Sequence, residues 1–177
     1  DKIEVEAAKS LADEKIVGWF QGRAEFGARA LGARSILANP MVKHMKEKIN
    51  ARVKYREPFR PFAPSMIEEV MDKYMVEPKE SPFMVLAFPF KEYFRRTFPS
   101  VIHVDGSVRP QTVNRETNPL YWNLINEFGL ITGHPVVMNT SFNIRGEPIV
   151  NTPLEAIRCF FSTGMDSLAI GSYILDK

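Results

Sequence analysis

Cysteine is almost missing from this chain, with Cys159 alone among 177 residues. An internal disulfide is excluded, so packing has to hold the fold, which is consistent with a reducing compartment. Cys159 lies in the apolar run Ile157-Arg158-Cys159-Phe160-Phe161 and is expected in the core. Histidine is scarce as well. His44, His103 and His134 show neither an H-x-x-x-H nor a Cys/His spacing of the kind a zinc site needs, so no metal ligands are assigned. No apolar run approaches the length that spans a bilayer, and no signal-peptide pattern opens the chain, which points to the cytoplasm rather than a membrane. The G-x-S-x-G elbow of α/β-hydrolases is absent. A G-x-x-x-x-G does occur at Gly27–Gly32, but it lacks the Lys-Ser/Thr of a phosphate-binding P-loop. Repeats and low-complexity stretches are absent too.

Apolar residues make up 45% of the chain and charged residues 25%, ordinary values for one globular domain with a real core. The chain begins at Asp1 and enters a helix-like segment at once, which suggests a domain, residues 1–177, from a larger protein. The net charge is only +2, but it is unevenly spread. Between Arg23 and Arg60 there are 10 cations and 3 acids, a net of +7, whereas the remainder holds 13 cations and 18 acids, a net of −5. Such a concentration implies an anionic partner. Gly and Pro punctuate the window, and arginines beside tight turns suit a fixed phosphate site better than a diffuse surface. The small total charge makes a general nucleic-acid binder unlikely.

Spacing of Ile3, Ala7, Ala8, Leu11 and Ala12 predicts a helix over 3–14. Strands are expected at 16–20, 34–38, 83–88, 101–104, 135–139 and from 167 onward. Helices are expected at 41–53, with Asn39 as a cap, at 67–74, at 118–128, and from Thr152-Pro153 to about 161. Three prolines keep 57–64 from being a regular helix. Strands and helices without strict βαβ alternation indicate an α/β (α+β) domain on one mixed, twisted sheet flanked by helices.

Four constellations could carry chemistry. Lys54 and Arg56 are two residues apart, on one side of extended backbone, and Arg60 follows a proline-stiffened turn. Gly27 and Gly32 bracket Arg29 in a turn that could approach a phosphate closely. Ser141 and Asn143 follow the 135–139 strand, and ligands bind at strand ends in open sheets. Finally, the Asp105-Gly106 turn projects Arg109 and Gln111.

Together these phrases resemble the C-terminal, YrdC-like domain of the O-carbamoyltransferases that act on nodulation factors and antibiotics. The phrases run Gly22-Arg23-Ala24-Glu25-Phe26-Gly27-Ala28-Arg29-Ala30-Leu31-Gly32-Ala33-Arg34-Ser35, then Tyr55-Arg56-Glu57-Pro58-Phe59-Arg60-Pro61-Phe62-Ala63-Pro64, His103-Val104-Asp105-Gly106-Ser107-Val108-Arg109-Pro110-Gln111, Asn139-Thr140-Ser141-Phe142-Asn143 and Gly146-Glu147-Pro148. The K-x-R and S-x-N elements are similar to those of the tRNA threonylcarbamoyl-adenylate synthases. The resemblance implies a domain that uses ATP, with Mg²⁺, and carbamoyl phosphate to form carbamoyl adenylate. An N-terminal actin-like domain of the same protein would then pass the carbamoyl group to a small-molecule hydroxyl acceptor. It implies Lys54, Arg60 and Ser141 as catalytic residues, with Arg29, Arg56, Arg109 and Asn143 binding substrate. An alternative is a module of the same fold that binds nucleotide or structured RNA on a basic concave surface without catalysis.

Overall fold

A computed structural model describes residues 2–57 and 59–177. Its elements, in order, are α1 (Ile3–Ala12), β1 (Val17–Phe20), β2 (Arg34–Ala38), α2 (Met45–Ile49), β3 (Ala63–Ile67), α3 (Met71–Tyr74), β4 (Phe88–Pro89), α4 (Glu92–Arg95), β5 (Ser107–Val108), β6 (Gln111–Val113), α5 (Pro119–Thr132), β7 (Val136–Ser141), α6 (Pro153–Ser162), β8 (Ser167–Ile170) and β9 (Tyr173–Asp176). Seven strands form one mixed sheet in the order β6-β3-β7-β2-β1-β8-β9. The β1–β8 and β3–β6 pairs are parallel and the others antiparallel.

Each face of the sheet has its own apolar core. Ala7, Ala8 and Leu11 of α1 pack with Tyr121, Leu124, Ile125 and Phe128 of α5 over one face. Ala156 and Phe160 of α6, Met45 and Ile49 of α2, and the aromatic group Tyr74, Phe90 and Phe98 cover the other. Local signals start the helices. Asn118 caps α5 by accepting from Tyr121 N, with Pro119 as the first helical residue. Thr152 and Glu155 form a reciprocal capping box at α6. Asn39 Oδ1 accepts from Met41 N at 2.9 Å, as expected of a cap, but regular helix begins only at Met45.

Four of the expected elements differ. The 83–88 run is a turn whose Phe83, Val85 and Leu86 are exposed, and only Phe88 joins the two-residue β4. Residues 101–104 form no strand. They lead into a turn in which Asp105 Oδ1 accepts from Ser107 N at 2.9 Å, and β5 after it pairs with β4. The expected 67–74 helix is split: β3 extends to Ile67, and a 3₁₀ turn at Glu68–Val70 precedes the short α3. Sequence patterning also passed over β3, β6 and β9. Pro64 sits inside β3, but the β6 pairing starts only at Ser65, so its missing N–H costs no bond on that side.

The helix expected to end near 53 instead widens into a π-helical turn at Asn50–Lys54, closed by Tyr55 at φ 46°. This turn aims the side chains at Lys54 and Arg56.

Two predictions follow from the packing. A Cβ at Gly32, where φ is +103°, would lie 2.2 Å from the Tyr121 ring. Gly32→Ala therefore combines a clash with backbone strain and should cost at least about 2–3 kcal/mol in chemical denaturation. Gly27→Ala, with open space around its Cβ, should cost distinctly less. The second concerns His134, whose Nδ1 lies 2.9 Å from the Tyr74 hydroxyl, amid Phe94 and Phe98. Burial, and then Lys73, hold its pKa below 6.5, while burial pushes the Tyr74 hydroxyl up to about 12, so a neutral phenol and a neutral imidazole share this hydrogen bond. The folded state thus resists a proton that the unfolded state takes. Stability should be fully present above about pH 6.5 and fall as pH drops below it. Denaturation from pH 7.5 to 5 should show this slope in the wild type and a shallower one in His134→Phe.

Candidate functional site

Strand registers bring four connections to one edge of the sheet. The C-terminal end of β7 lies beside the start of β2, where Ser141 pairs with Ser35, and beside the start of β3, where Asn139 pairs with Ala63. The parallel β6 begins opposite Ser65, so Arg109, just before it, reaches the same edge. The β1–β2 loop arrives there too, because Phe20 at the end of β1 pairs with Arg34.

Two adjoining cavities occupy this edge. One, of about 130 Å³, is lined by Arg29, Arg56, Arg109, Asn139 and Ser141, among others. The second, of about 210 Å³, is lined by Lys54, Arg56, Glu57, Arg60, Ser141, Asn143 and Arg145, with Ile144 and Gly146. Arg56 and Ser141 belong to both. All seven candidate residues from the sequence, Lys54, Arg60, Ser141, Arg29, Arg56, Arg109 and Asn143, therefore line this cavity pair.

Lys54 is the pin. It is 5% exposed, and its Nζ donates to Ser141 O (2.5 Å), Asn143 Oδ1 (2.8 Å), Asn143 O (3.0 Å) and Ser141 Oγ (3.3 Å). Burial, and then the Arg56 guanidinium, pull its pKa down to about 7. The four oxygens act in the opposite sense, because they are set to accept from an ammonium. Ser141 Oγ donates to Asn143 Oδ1 at 2.7 Å, and Asn143 Nδ2 donates to Glu147 O at 2.8 Å. The K-x-R and S-x-N elements thus interlock directly.

Arg56 is equally constrained. Its Nε donates to Asn50 Oδ1 at 2.9 Å, and its guanidinium lies 4.7 Å from the centre of the Phe62 ring. Burial and Arg60 lower its pKa. Arg60 is more open, 55% exposed, with its Nε 3.0 Å from Glu57 Oε2. Burial and the nearby Arg29 act in the same direction on Arg109.

The glycine turn is held from both sides. Glu25 Oε1 accepts from Leu31 N (2.7 Å), Ala33 N (2.7 Å) and Arg34 N (3.2 Å). From beneath, Asn139 Nδ2 donates to Ala30 O at 3.1 Å, and Gln111 Nε2 to Leu31 O at 2.8 Å. Asn139 Nδ2 also faces Ser65 Oγ and Gln111 Oε1, both at 3.0 Å. Asn139 is 1% exposed, and its Oδ1 has no partner among the described residues, leaving an acceptor beside the first cavity.

Sequence reasoning missed Asn139, which looked like an ordinary strand residue, and Arg145, which sits on an exposed turn. It also credited Arg34 to the basic patch. Arg34 is 4% exposed, donates to the carbonyls of Gln21, Ala33 and Gly22, and lies 3.6 Å from the centre of the Phe20 ring, so it braces the loop.

The donor set does not fit a protein-held Mg²⁺. Glu57 is the sole carboxylate on the two cavities, it already faces Arg60, and no group of three metal-ligating side chains occurs among the described residues. No helix among them is long and apolar enough to cross a membrane.

Comparison with known proteins places the chain in a family. A family described as "Carbamoyltransferase C-terminus" matches residues 8–177. Nodulation protein NolNO of Sinorhizobium fredii is 47% identical over 100% of this chain and 26% of its own length. The 3'-hydroxymethylcephem-O-carbamoyltransferase of Amycolatopsis lactamdurans is 37% identical over 94% of this chain and 31% of its own length. The chain therefore spans about a quarter to a third of these relatives. Among solved structures, full-length HypF in a phosphate- and nucleotide-bound form superposes with TM-score 0.65 at 19% identity, covering 94% of this chain and 20% of HypF. P. abyssi Sua5 complexed with L-threonine superposes with TM-score 0.67 at 14% identity, covering 96% of this chain and 46% of Sua5. These two establish a shared fold.

The same Lys54 pin has a measurable cost. Removing it strands several enclosed oxygens, so Lys54→Ala should lower unfolding stability by about 2–3 kcal/mol. Arg60→Ala breaks only an exposed ion pair and should change stability by roughly 1 kcal/mol or less. Urea denaturation of both variants checks the contrast.

Proposed function

Since this chain belongs to the carbamoyltransferase C-terminal family, we propose that its paired basic cavities form carbamoyl adenylate from ATP and carbamoyl phosphate. The observation that carries this reading is the convergence of Lys54, Arg29, Arg56, Arg60, Arg109 and Arg145 on one sheet edge in a chain of net charge +2. In the proposed sequence, water first cleaves carbamoyl phosphate to carbamate and phosphate. A carbamate oxygen then attacks the α-phosphorus of ATP. The bond to the bridging oxygen breaks, and pyrophosphate leaves with that electron pair.

Negative charge grows on the α-phosphate and on the leaving pyrophosphate, and fixed cations stabilise it without reorganising. Arg56, shared by both cavities, stands where the two anions would meet. Arg109 faces the first cavity and Arg60 the second, each with a guanidinium suited to phosphate oxygens. Ser141 and Asn143, fixed by Lys54, shape the wall at the carbamoyl end. Asn139 Oδ1, the unpaired acceptor, suits an N–H of the carbamoyl group, a donor that a plain carboxylic acid lacks. Mg²⁺ in this reading arrives on the phosphates of ATP and supplies charge neutralisation there.

Transfer to a hydroxyl acceptor belongs, in this reading, to another domain of a longer cytoplasmic protein. Phe83, Val85 and Leu86 stand exposed next to Met84, which lines the first cavity, and they offer an apolar rim for a covering domain.

Calorimetry tests the reading. ATP and carbamoyl phosphate should each bind the wild-type domain. Arg60→Ala and Arg109→Ala should each weaken at least one ligand by about tenfold, the loss of one charge-assisted contact. Unchanged affinities for both ligands in both variants would rule out the assignment. The domain alone should release pyrophosphate yet leave hydroxyl acceptors unmodified, because in this reading the acceptor is positioned by the other domain. Saturable acceptor carbamoylation by this chain would contradict the division of labour.

A further inference from the structure

Among the described residues Glu57 is the one acid on the second cavity, and four cations, Lys54, Arg56, Arg60 and Arg145, share that cavity with it. Its Oε2 lies 3.0 Å from Arg60 Nε. That bridge links two residues of one short loop, with the side chains 41% and 55% exposed, so it does little to hold the fold together. Lys54 is already committed to four oxygens. Among the described residues the guanidinium of Arg56 is hydrogen-bonded through Nε, and Arg145 makes one long contact, Nη1 to Tyr55 O at 3.4 Å. The cavity therefore holds three arginines with donors to spare and one carboxylate. Its size, about 210 Å³, suits a compact polyanion rather than a whole nucleotide.

We propose, resting on the function assigned above, that Glu57 is an internal counter-ion occupying the anion position of this cavity, that a phosphate group of the ligand displaces it, and that Arg145 is a cation of the same site. Without an anion, several like charges would face one another across a small space, and Glu57 offsets that repulsion in the free protein. Its carboxyl is held below the usual range by its own backbone N–H, then by Arg60, Arg145 and Arg56, so it stays ionised there. When the ligand's phosphate arrives, the carboxylate swings into solvent; Oε2 is buried and makes no hydrogen bond among the described residues, while the side chain as a whole is 41% exposed, so little is lost in the exchange. The counter-ion thereby weakens product binding, which favours release of the anion after reaction.

Calorimetry with inorganic phosphate, inorganic pyrophosphate and ATP on the wild type, Glu57→Gln and Arg145→Gln tests this. Glu57→Gln removes the competing charge and keeps the shape, and should tighten at least one of these anions by about tenfold. Arg145→Gln should weaken the same anion by a similar factor. Tightening seen with pyrophosphate or phosphate alone identifies the free anion as the occupant, and tightening confined to ATP identifies its polyphosphate tail. Unchanged or weaker binding in Glu57→Gln, with wild-type binding still dependent on Arg60, overturns the counter-ion proposal and leaves the function standing. Absence of binding to all three anions in every protein overturns both.

Discussion

One buried ammonium organises this domain. Lys54 leaves the π-helical turn and ends among oxygens of Ser141 and Asn143. It thereby ties the segment after α2 to the C-terminal end of the central strand β7. The turn fixes the direction of Lys54 and Arg56, and the strand end fixes the oxygens. Charge burial on this scale is costly unless every donor is met, and here the acceptors outnumber the donors. The same arrangement places a positive charge at the floor of a cavity without leaving it to a mobile side chain.

Around that floor the protein divides its cations into two kinds. Arg34 and Lys54 are enclosed and turned onto oxygens of the chain itself, Arg34 through both terminal nitrogens of its guanidinium. Arg29, Arg60 and Arg145 reach outward with few partners. The first kind sets the geometry of the second. Glu25 works in the same way from the other side of the site: one carboxylate oxygen gathers three backbone N–H groups and holds the turn that carries Arg29. The placement of the outward-facing cations at this edge therefore depends on buried polar contacts beneath them.

The amount of this that could be read from the sequence follows the range of the forces involved. Thr152-Pro153 and Asn118-Pro119 announce their helices because capping is local. β2 and β7 could be found as apolar runs buried on both faces. β3, β6 and β9 could not: β3 contains Pro64, β6 is three residues long, and β9 is an edge strand with exposed Tyr173. Their pairing is decided by partners distant in the chain. The 83–88 run misled because Phe83, Val85 and Leu86 are exposed, while Met84 lines a cavity and only Phe88 enters the core. At the site, K-x-R and S-x-N were visible as spacing, but their direct contact across 87 residues was not. Arg145 carries no pattern at all; only the fold brings it to Arg56 and Arg60. Conversely, the +7 window overstated the patch, since Arg34 spends its charge inside the loop.

The central claim is that this domain activates a carbamoyl group with ATP. Carbamoyl phosphate-dependent exchange of labelled pyrophosphate into ATP measures that step directly, because it requires reversible formation of carbamoyl adenylate and nothing from an acceptor. The account predicts exchange that needs carbamoyl phosphate and is strongly reduced in Arg60→Ala at unchanged stability. Tight ATP binding with no exchange above background, under conditions where carbamoyl phosphate also binds, would contradict it.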